Sequence, residues 1–239
     1  MRGANLAASM MALGMAVAAC GKPVSKEPPP APAPATPAVA PAPAPAPAVA
    51  RPAEPLWPDT LPPGWKMFDD YEGADAKHDG WGGAVGTWGF RTGQCKVEFA
   101  RDGNSQRQKL TYSFPMGDSQ CGTSEYFKGE KGKPKPFDIS AYDRVVFLMK
   151  SGDGAAHKVH FEITELDPYD AALQGYTGEQ LFTAPADWQR FEVNLDKVLH
   201  PNFDRKKGRQ VGLRIDRKEQ EQASGVVLID NIAFIEKGK

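Results

Sequence analysis

The sequence predicts an all-β protein built as two packed antiparallel sheets, on three observations. Apolar residues alternate with polar ones at a period of two in several segments, Gly, Asp, Asn and Pro punctuate the gaps, and no segment sustains an apolar period of 3.6. Eight or more short strands across about 180 residues then require two apolar faces packed on each other.

The strand assignments follow in chain order. "WKMFDDYE", "KVEFAR" and "QKLTYSF" are three candidate strands, and "YDRVVFLMK" (Tyr142 to Lys150) is apolar on both sides, as expected of a strand covered on both faces. "HKVHFEITEL" separates Val159, Phe161 and Ile163 from Lys158, His160, Glu162 and Thr164. "WQRFEVNL" sets Phe191, Val193 and Leu195 against Trp188, Arg190, Glu192 and Asn194. "QVGLRID" points Val211, Leu213 and Ile215 inward and Arg214 and Asp216 outward, and "GVVLIDNIAFI" closes the chain as a second doubly covered strand. "PNFDRKKGRQ" is at most a helical turn, and "HDGWGGAVGTWGF" and "ELDPYDAALQGYTGEQLF" are taken as two long loops.

Three domains are expected: a signal peptide at 1–20, an Ala/Pro-rich disordered linker at 21–58 and the β-domain at 59–239. Residues 1–20 carry one Arg and then mostly small and apolar residues, too few to span a bilayer. They end in Val17-Ala18-Ala19-Cys20, which resembles a bacterial lipobox and implies lipidation of Cys20. Gly21, where an Asp would mark inner-membrane retention, implies an outer-membrane location in the cell envelope. From Pro23 to Pro58 lie 14 of the 22 prolines. Proline fixes φ and donates no hydrogen bond, so this stretch favours solvated polyproline II, a spacer reaching on the order of 100 Å.

Charge and cysteine content narrow the classes. Removing the four basic and two acidic residues of positions 1–58 from the totals of 29 and 30 leaves 25 and 28, a balance of −3 that argues against a nucleic-acid partner. With Cys20 lipidated, Cys95 and Cys121 are the remaining thiols in an oxidising compartment. Either they form one disulfide, worth roughly 3 kcal/mol through loop closure, or both stay free.

The order "FDDYEG", "FDISAYDRVVFLMKSGDG", "KVHFEITE", "FTAPADWQRFEVNL", "GLRIDR", "GVVLIDNIAFIE" resembles the family 11 carbohydrate-binding modules and the related complex I intermediate-associated protein 30 domains. The resemblance covers about residues 66–236 and implies a galactose-binding-like β-jelly roll. Family 11 modules bind β-1,3-1,4-glucans and cellulose-type chains, and their groove strands supply Tyr, Arg and Asp. The matching positions here are Tyr112, His160, Glu162, Arg190, Arg214 and Asp216, with Arg214 and Asp216 on one face of one strand. The resemblance therefore implies a non-catalytic polysaccharide-binding lipoprotein. The related domains imply an alternative in which the partner is a cell-envelope protein.

Other aromatics divide between roles. Trp188 at a strand entry is expected at the rim of the core, Trp81 and Trp88 either anchor their loop or stack on a ligand, and Tyr169 and Tyr176 lie within reach of a groove edge.

A glycosidase needs two carboxylates facing one another across the groove. Glu162, Glu192 and Asp216 are available, but "EITELD" lacks the E-x-D-x-x-E strand of laminarinase-type jelly rolls, and no GxSxG, P-loop or GxGxxG is present. An enzyme is not expected. His157 and His160 fall on opposite faces of a strand, so they do not form a zinc pair.

Asp230 and Asn231 interrupt the last apolar strand, and a buried carboxylate demands a partner. In jelly rolls of this superfamily a calcium ion often staples the first strand to the last. The corresponding set here is Asp70, Glu72 and Asp230, a structural Ca2+ site. The competing account has Asp230 and Asn231 capping backbone groups at a bulge.

Overall fold

The structure is a computed structural model that describes residues 55–72, 79–102, 105–130, 133–167 and 174–239. The lipobox with Cys20, most of the Ala/Pro stretch and Tyr169 lie outside the described residues. All described residues fall in one unit, Pro52–Lys239.

Among the described residues thirteen strands follow one another: β1 (Trp65–Asp69), β2 (Val85–Phe90), β3 (Gln94–Asp102), β4 (Ser105–Ser113), β5 (Gln120–Tyr126), the short pair β6 (Gly129–Glu130) and β7 (Lys133–Pro134), β8 (Tyr142–Ser151), β9 (His157–Leu166), β10 (Gln174–Ala184), β11 (Gln189–Asn194), β12 (Gly208–Asp216) and β13 (Ser224–Glu236). One helical turn, α1 (Leu195–Val198), starts where Asn194 accepts a hydrogen bond from the Lys197 amide, so Leu195 ends in this turn instead of in β11. The basic stretch expected as a turn forms the 310 turn Arg205–Lys207.

The strands form two antiparallel sheets. The first has the order β11-β8-β13-β4-β3, with β1 also paired to β13, and the second has the order β10-β9-β12-β5-β2. Alternation decides the inner faces. Val159, Phe161, Ile163, Val211, Leu213 and Ile215 of the second sheet meet Phe147, Met149, Val227 and Ile229 of the first in one core. Phe147 stacks on Phe161 across the sheets at 4.9 Å.

The doubly apolar strands β8 and β13 are covered on both sides as expected. Val146, Ala233 and Ile235 on their outer face pack under Trp57, Trp65 and Met67. Cys95 on β3 and Cys121 on β5 are disulfide-bonded with Cα atoms 5.4 Å apart, which ties one sheet to the other.

The two segments taken as long loops contain strands instead. Val85–Phe90 and Gln174–Ala184 form β2 and β10, the two outermost strands of the second sheet. Edge strands pack on one neighbour only, so glycine-rich and polar sequence is tolerated there.

The Asp230–Asn231 interruption is a bulge. β13 pairs with β4 through Ile229, shifts register against β8 between Asp230 and Ala233, and pairs with β1 from Ile232 onward. Asn231 takes a left-handed φ of 52°, which Asn tolerates better than most residues. The last strand changes partner here, and the irregular pair absorbs the step.

Candidate functional site

The outer face of the second sheet carries four rungs of side chains, set by strand register. Thr177, Thr164, Gln210 and Tyr126 form one rung, and Glu179, Glu162, Gly212, Ser124 and Gly86 the next. Leu181, His160, Arg214, Gly122 and Trp88 form the third, and Asp216, Gln120 and Phe90 the fourth. Along β12 the period of two brings Gln210, Gly212, Arg214 and Asp216 to this face. A hollow of about 490 Å³ opens between these rows, lined among others by Trp88, Tyr126, Glu162, Glu179, Gln210 and Arg214.

Glycine at 122 makes the hollow's aromatic wall. Trp88 lies across the chain from Gly122, where a Cβ would stand 2.8 Å from the indole Cζ2 and 2.1 Å from the Leu213 carbonyl oxygen. The ring thus packs on bare backbone, and its Nε1–H donates to the Thr123 carbonyl at 3.3 Å.

Arg214 organises the acidic side. Glu162 and Glu179 are directly opposed across β9 and β10, a like-charge pair that would repel. The guanidinium joins them, with Nε 2.7 Å from Glu162 Oε1, Nη2 2.5 Å from Glu179 Oε2 and Nη1 3.0 Å from Asp216 Oδ2. Burial raises the Glu162 carboxyl above its ordinary value, and Arg214 pulls it back down. Glu179 has its side chain 50% exposed, so this cluster opens to solvent. His160 beside it donates through Nε2–H to Glu219 Oε2 at 2.7 Å, and the same nitrogen lies 3.7 Å from Asp216 Oδ2.

Of the six residues expected in the groove, the structure brings together His160, Glu162, Arg214 and Asp216. Tyr112 is corrected: it is 1% exposed, on β4 of the other sheet, with its hydroxyl 2.8 Å from His157 Nδ1 inside the core. Arg190 is corrected as well, since it sits exposed on β11 at the edge of the first sheet, paired with Leu148. Tyr126, Gln210 and Glu179 line the hollow and were missed, although Gln210 shares the strand and parity of Arg214. Trp81 and Trp88 lie in different settings. Trp81 is a core anchor whose Nε1–H donates to the Met67 carbonyl at 2.6 Å, and Trp88 faces the hollow. Tyr176 stacks on His200 at 4.2 Å and 3°, next to the turn that follows α1.

The carboxylates expected to share calcium are placed differently. Asp230 is 1% exposed and ion-paired with Arg107, whose Nη1 lies 2.7 Å from Asp230 Oδ2 and 3.8 Å from Glu72 Oε1. Asp70 is exposed and uses Oδ1 to accept the Glu72 amide at 3.1 Å. A guanidinium occupies the place between Asp230 and Glu72 that the ion would need, so these residues as arranged do not fit calcium. Burial still pushes the Asp230 carboxyl up to about 7, against the pull of Arg107. Trp188 covers the clamp, with Arg107 5.4 Å and Lys150 5.0 Å from its ring and its Nε1–H donating to Asp102 Oδ2 at 3.3 Å.

A third acidic group lies inside. Asp69 and Asp79 are pushed up to about 7, chiefly by burial, and Glu125 is raised by burial and then by its acidic neighbours. Glu125 Oε1 accepts from the Tyr71 hydroxyl at 3.0 Å and from Gln108 Nε2 at 2.6 Å.

No protein-family model matches the chain, and no curated protein matches it in sequence. Solved structures do match. A family 11 carbohydrate-binding module from Clostridium thermocellum in complex with a β-1,3-1,4-mixed-linked tetrasaccharide superimposes with a TM-score of 0.57 at 18% identity, covering 72% of this chain and 96% of that one. The family 11 module of a cellulosomal cellulase of the same organism gives 0.57 at 18% identity, covering 72% and 95%. An exo-β-agarase gives 0.50 at 12% identity over 72% of this chain and 25% of that one. The fold of this chain is the antiparallel two-sheet β-sandwich, of jelly-roll type, that the family 11 carbohydrate-binding modules share.

Proposed function

We propose that this protein is a non-catalytic carbohydrate-binding lipoprotein that takes β-glucan or cellulose-type polysaccharide on the outer face of its second sheet. The observation that carries this reading is the hollow itself, where the flat indole of Trp88 faces the Arg214-centred carboxylates across one surface. Sugar rings present apolar C–H faces and a dense set of hydroxyls. A π face takes the first, and carboxylate and guanidinium groups take the second. The similar module that was solved with a mixed-linked tetrasaccharide supports a glucan over other sugars. The acidic bias of Glu162, Glu179, Asp216 and Glu219 against Arg209 and Arg214 favours a neutral chain over a uronic or sulfated one.

Lipidation at Cys20 and the Ala/Pro spacer would tether this face to the outer membrane and hold it away from the lipid. Metabolic labelling with a fatty acid, lost in Cys20→Ser, tests the anchor.

The binding reading is tested by affinity electrophoresis of the full chain in detergent through gels containing mixed-linkage β-glucan, hydroxyethylcellulose or an acidic polysaccharide. Retardation in the neutral glucans, abolished by Trp88→Ala, is expected. Unretarded migration in every gel would overturn the reading.

A further inference from the structure

We propose that His160, Asp216 and Glu219 form a binding site for a divalent transition-metal ion, with Zn2+ as the best-matched occupant. This site lies beside the hollow and does not depend on the hollow binding sugar.

The three residues come from separate places. His160 is on β9, Asp216 ends β12, and Glu219 ends the 310 turn Arg217–Glu219 that follows. One ligand atom from each lies within 4.8 Å of the other two. His160 Nε2 stands 2.7 Å from Glu219 Oε2 and 3.7 Å from Asp216 Oδ2. Tetrahedral zinc with bonds of about 2.0–2.2 Å needs ligand atoms roughly 3.4 Å apart, so the ion would take the place of the proton between His160 Nε2 and Glu219 Oε2, release that proton to solvent and part the two atoms by less than about 1 Å.

The electrostatics point the same way. Asp216 is 1% exposed and its charge is met by Arg214 at Oδ2 alone, while Oδ1 has no hydrogen-bond partner among the described residues, a buried acceptor that costs free energy until a further group takes it up. Oδ2 is held by Arg214 Nη1 at 3.0 Å, the kind of outer donor that orients a ligating carboxylate. His160 Nδ1 is buried without a hydrogen bond, and its nearest carboxylate is Glu179 Oε2 at 3.8 Å. A histidine that ligates through Nε2 characteristically turns Nδ1–H toward such a group.

One imidazole with two carboxylates selects a borderline ion over Ca2+ or Mg2+, whose ligands are oxygens. Three protein ligands leave a fourth position for water. The expected consequence is mechanical: the ion would join β9 to the turn after β12 and hold Asp216 against Arg214.

Sequence spacing cannot show this site. The nearest histidine, His157, faces the core, and the Glu219 partner of His160 is 59 residues away.

The test is isothermal titration of chelator-stripped full chain in detergent with ZnCl2, comparing wild type with His160→Gln, Glu219→Gln and His200→Ala. Saturable binding that weakens about tenfold or more in His160→Gln and in Glu219→Gln, but not in His200→Ala, is expected. Glu219 lies on a partly exposed turn, so its variant keeps the test alive if His160→Gln does not fold. Zinc affinity unchanged in Glu219→Gln, or no saturable binding by the wild type, would overturn the site.

Discussion

Two arginines in this molecule do the same electrostatic task on opposite outer faces, and their surroundings separate a covered clamp from an open hollow. Arg107 on the first sheet pairs with buried Asp230 and with Glu72, and Trp188 lies over it. Arg214 on the second sheet pairs with buried Asp216 and with Glu162 and Glu179, and Trp88 stands beside it across an open hollow. The difference is the cover. On the first sheet the aromatic ring closes the cluster, whereas on the second the ring and the charged groups remain apart with room for a ligand. A fixed ion pair becomes recognition chemistry only when its remaining hydrogen-bonding capacity faces space.

The comparison can be broken most forcefully at Arg107. Arg107→Met leaves Asp230 buried without its cation, and a loss of roughly 3 kcal/mol in unfolding free energy is expected at pH 8. Adding Asp230→Asn should restore most of that loss, and neither change should alter glucan retardation. Calcium belongs in the same experiment. A calcium-dependent rise in Tm that disappears in Asp230→Asn would return the ion to this clasp, and the guanidinium account predicts no such Asp230-dependent rise.

Next in size is the exchange of the two tryptophans. Trp88→Ala should weaken glucan binding about tenfold or more with little change in Tm, because the ring packs on backbone at a surface hollow. Trp188→Ala should do the reverse, costing about 1 kcal/mol of stability through its two cation–π contacts and leaving binding intact.

A change spread over the whole core, and touching neither arginine cluster alone, is expected from pH. Asp69, Asp79 and Asp230 are held up to about 7 in the folded protein against an ordinary 3.8, so the native state keeps protons that the unfolded chain releases. Their stabilising contribution is complete below 3.8 and is lost as pH climbs through about 7. Tm should therefore fall steadily between about pH 5 and about pH 8 and level off above that. Asp102 and Asp153 shift downward and lose their contribution only in stronger acid, so they do not mask this trend. The smallest change is expected for Glu179→Gln. It keeps an acceptor at an exposed position and should alter binding only a few-fold, with Tm unchanged.

How far the sequence could be read follows from the same physics. Alternation in "HKVHFEITEL" and "QVGLRID" separates the core-facing set from the set on the opposite side of the sheet, but His160, Glu162, Thr164 and Asp216 on that opposite side are buried by their neighbours, which alternation does not show. Alternation cannot say which sheet a strand joins, which is why Arg190, correctly outward, belongs to the wrong face. Tyr112 shares its parity with Leu110 and Phe114, both buried, so its own strand pattern pointed inward against the family resemblance. β2 and β10 were hidden because edge strands carry glycine and polar residues. Loop sequence left Trp88 open between anchoring and stacking, and register, which sets it over Gly122 beside the hollow, separates it from Trp81. The Asp230 partner is Arg107 on another strand, a pairing that no local pattern encodes.

The most direct measurement follows the tryptophan indole N–H resonances while a mixed-linkage β-glucan tetrasaccharide is titrated into the protein. The account predicts a saturable shift of the Trp88 resonance, assigned through Trp88→Phe, while that of Trp188 stays in place. A shift confined to Trp188, or no shift of Trp88 up to saturating oligosaccharide, would contradict it.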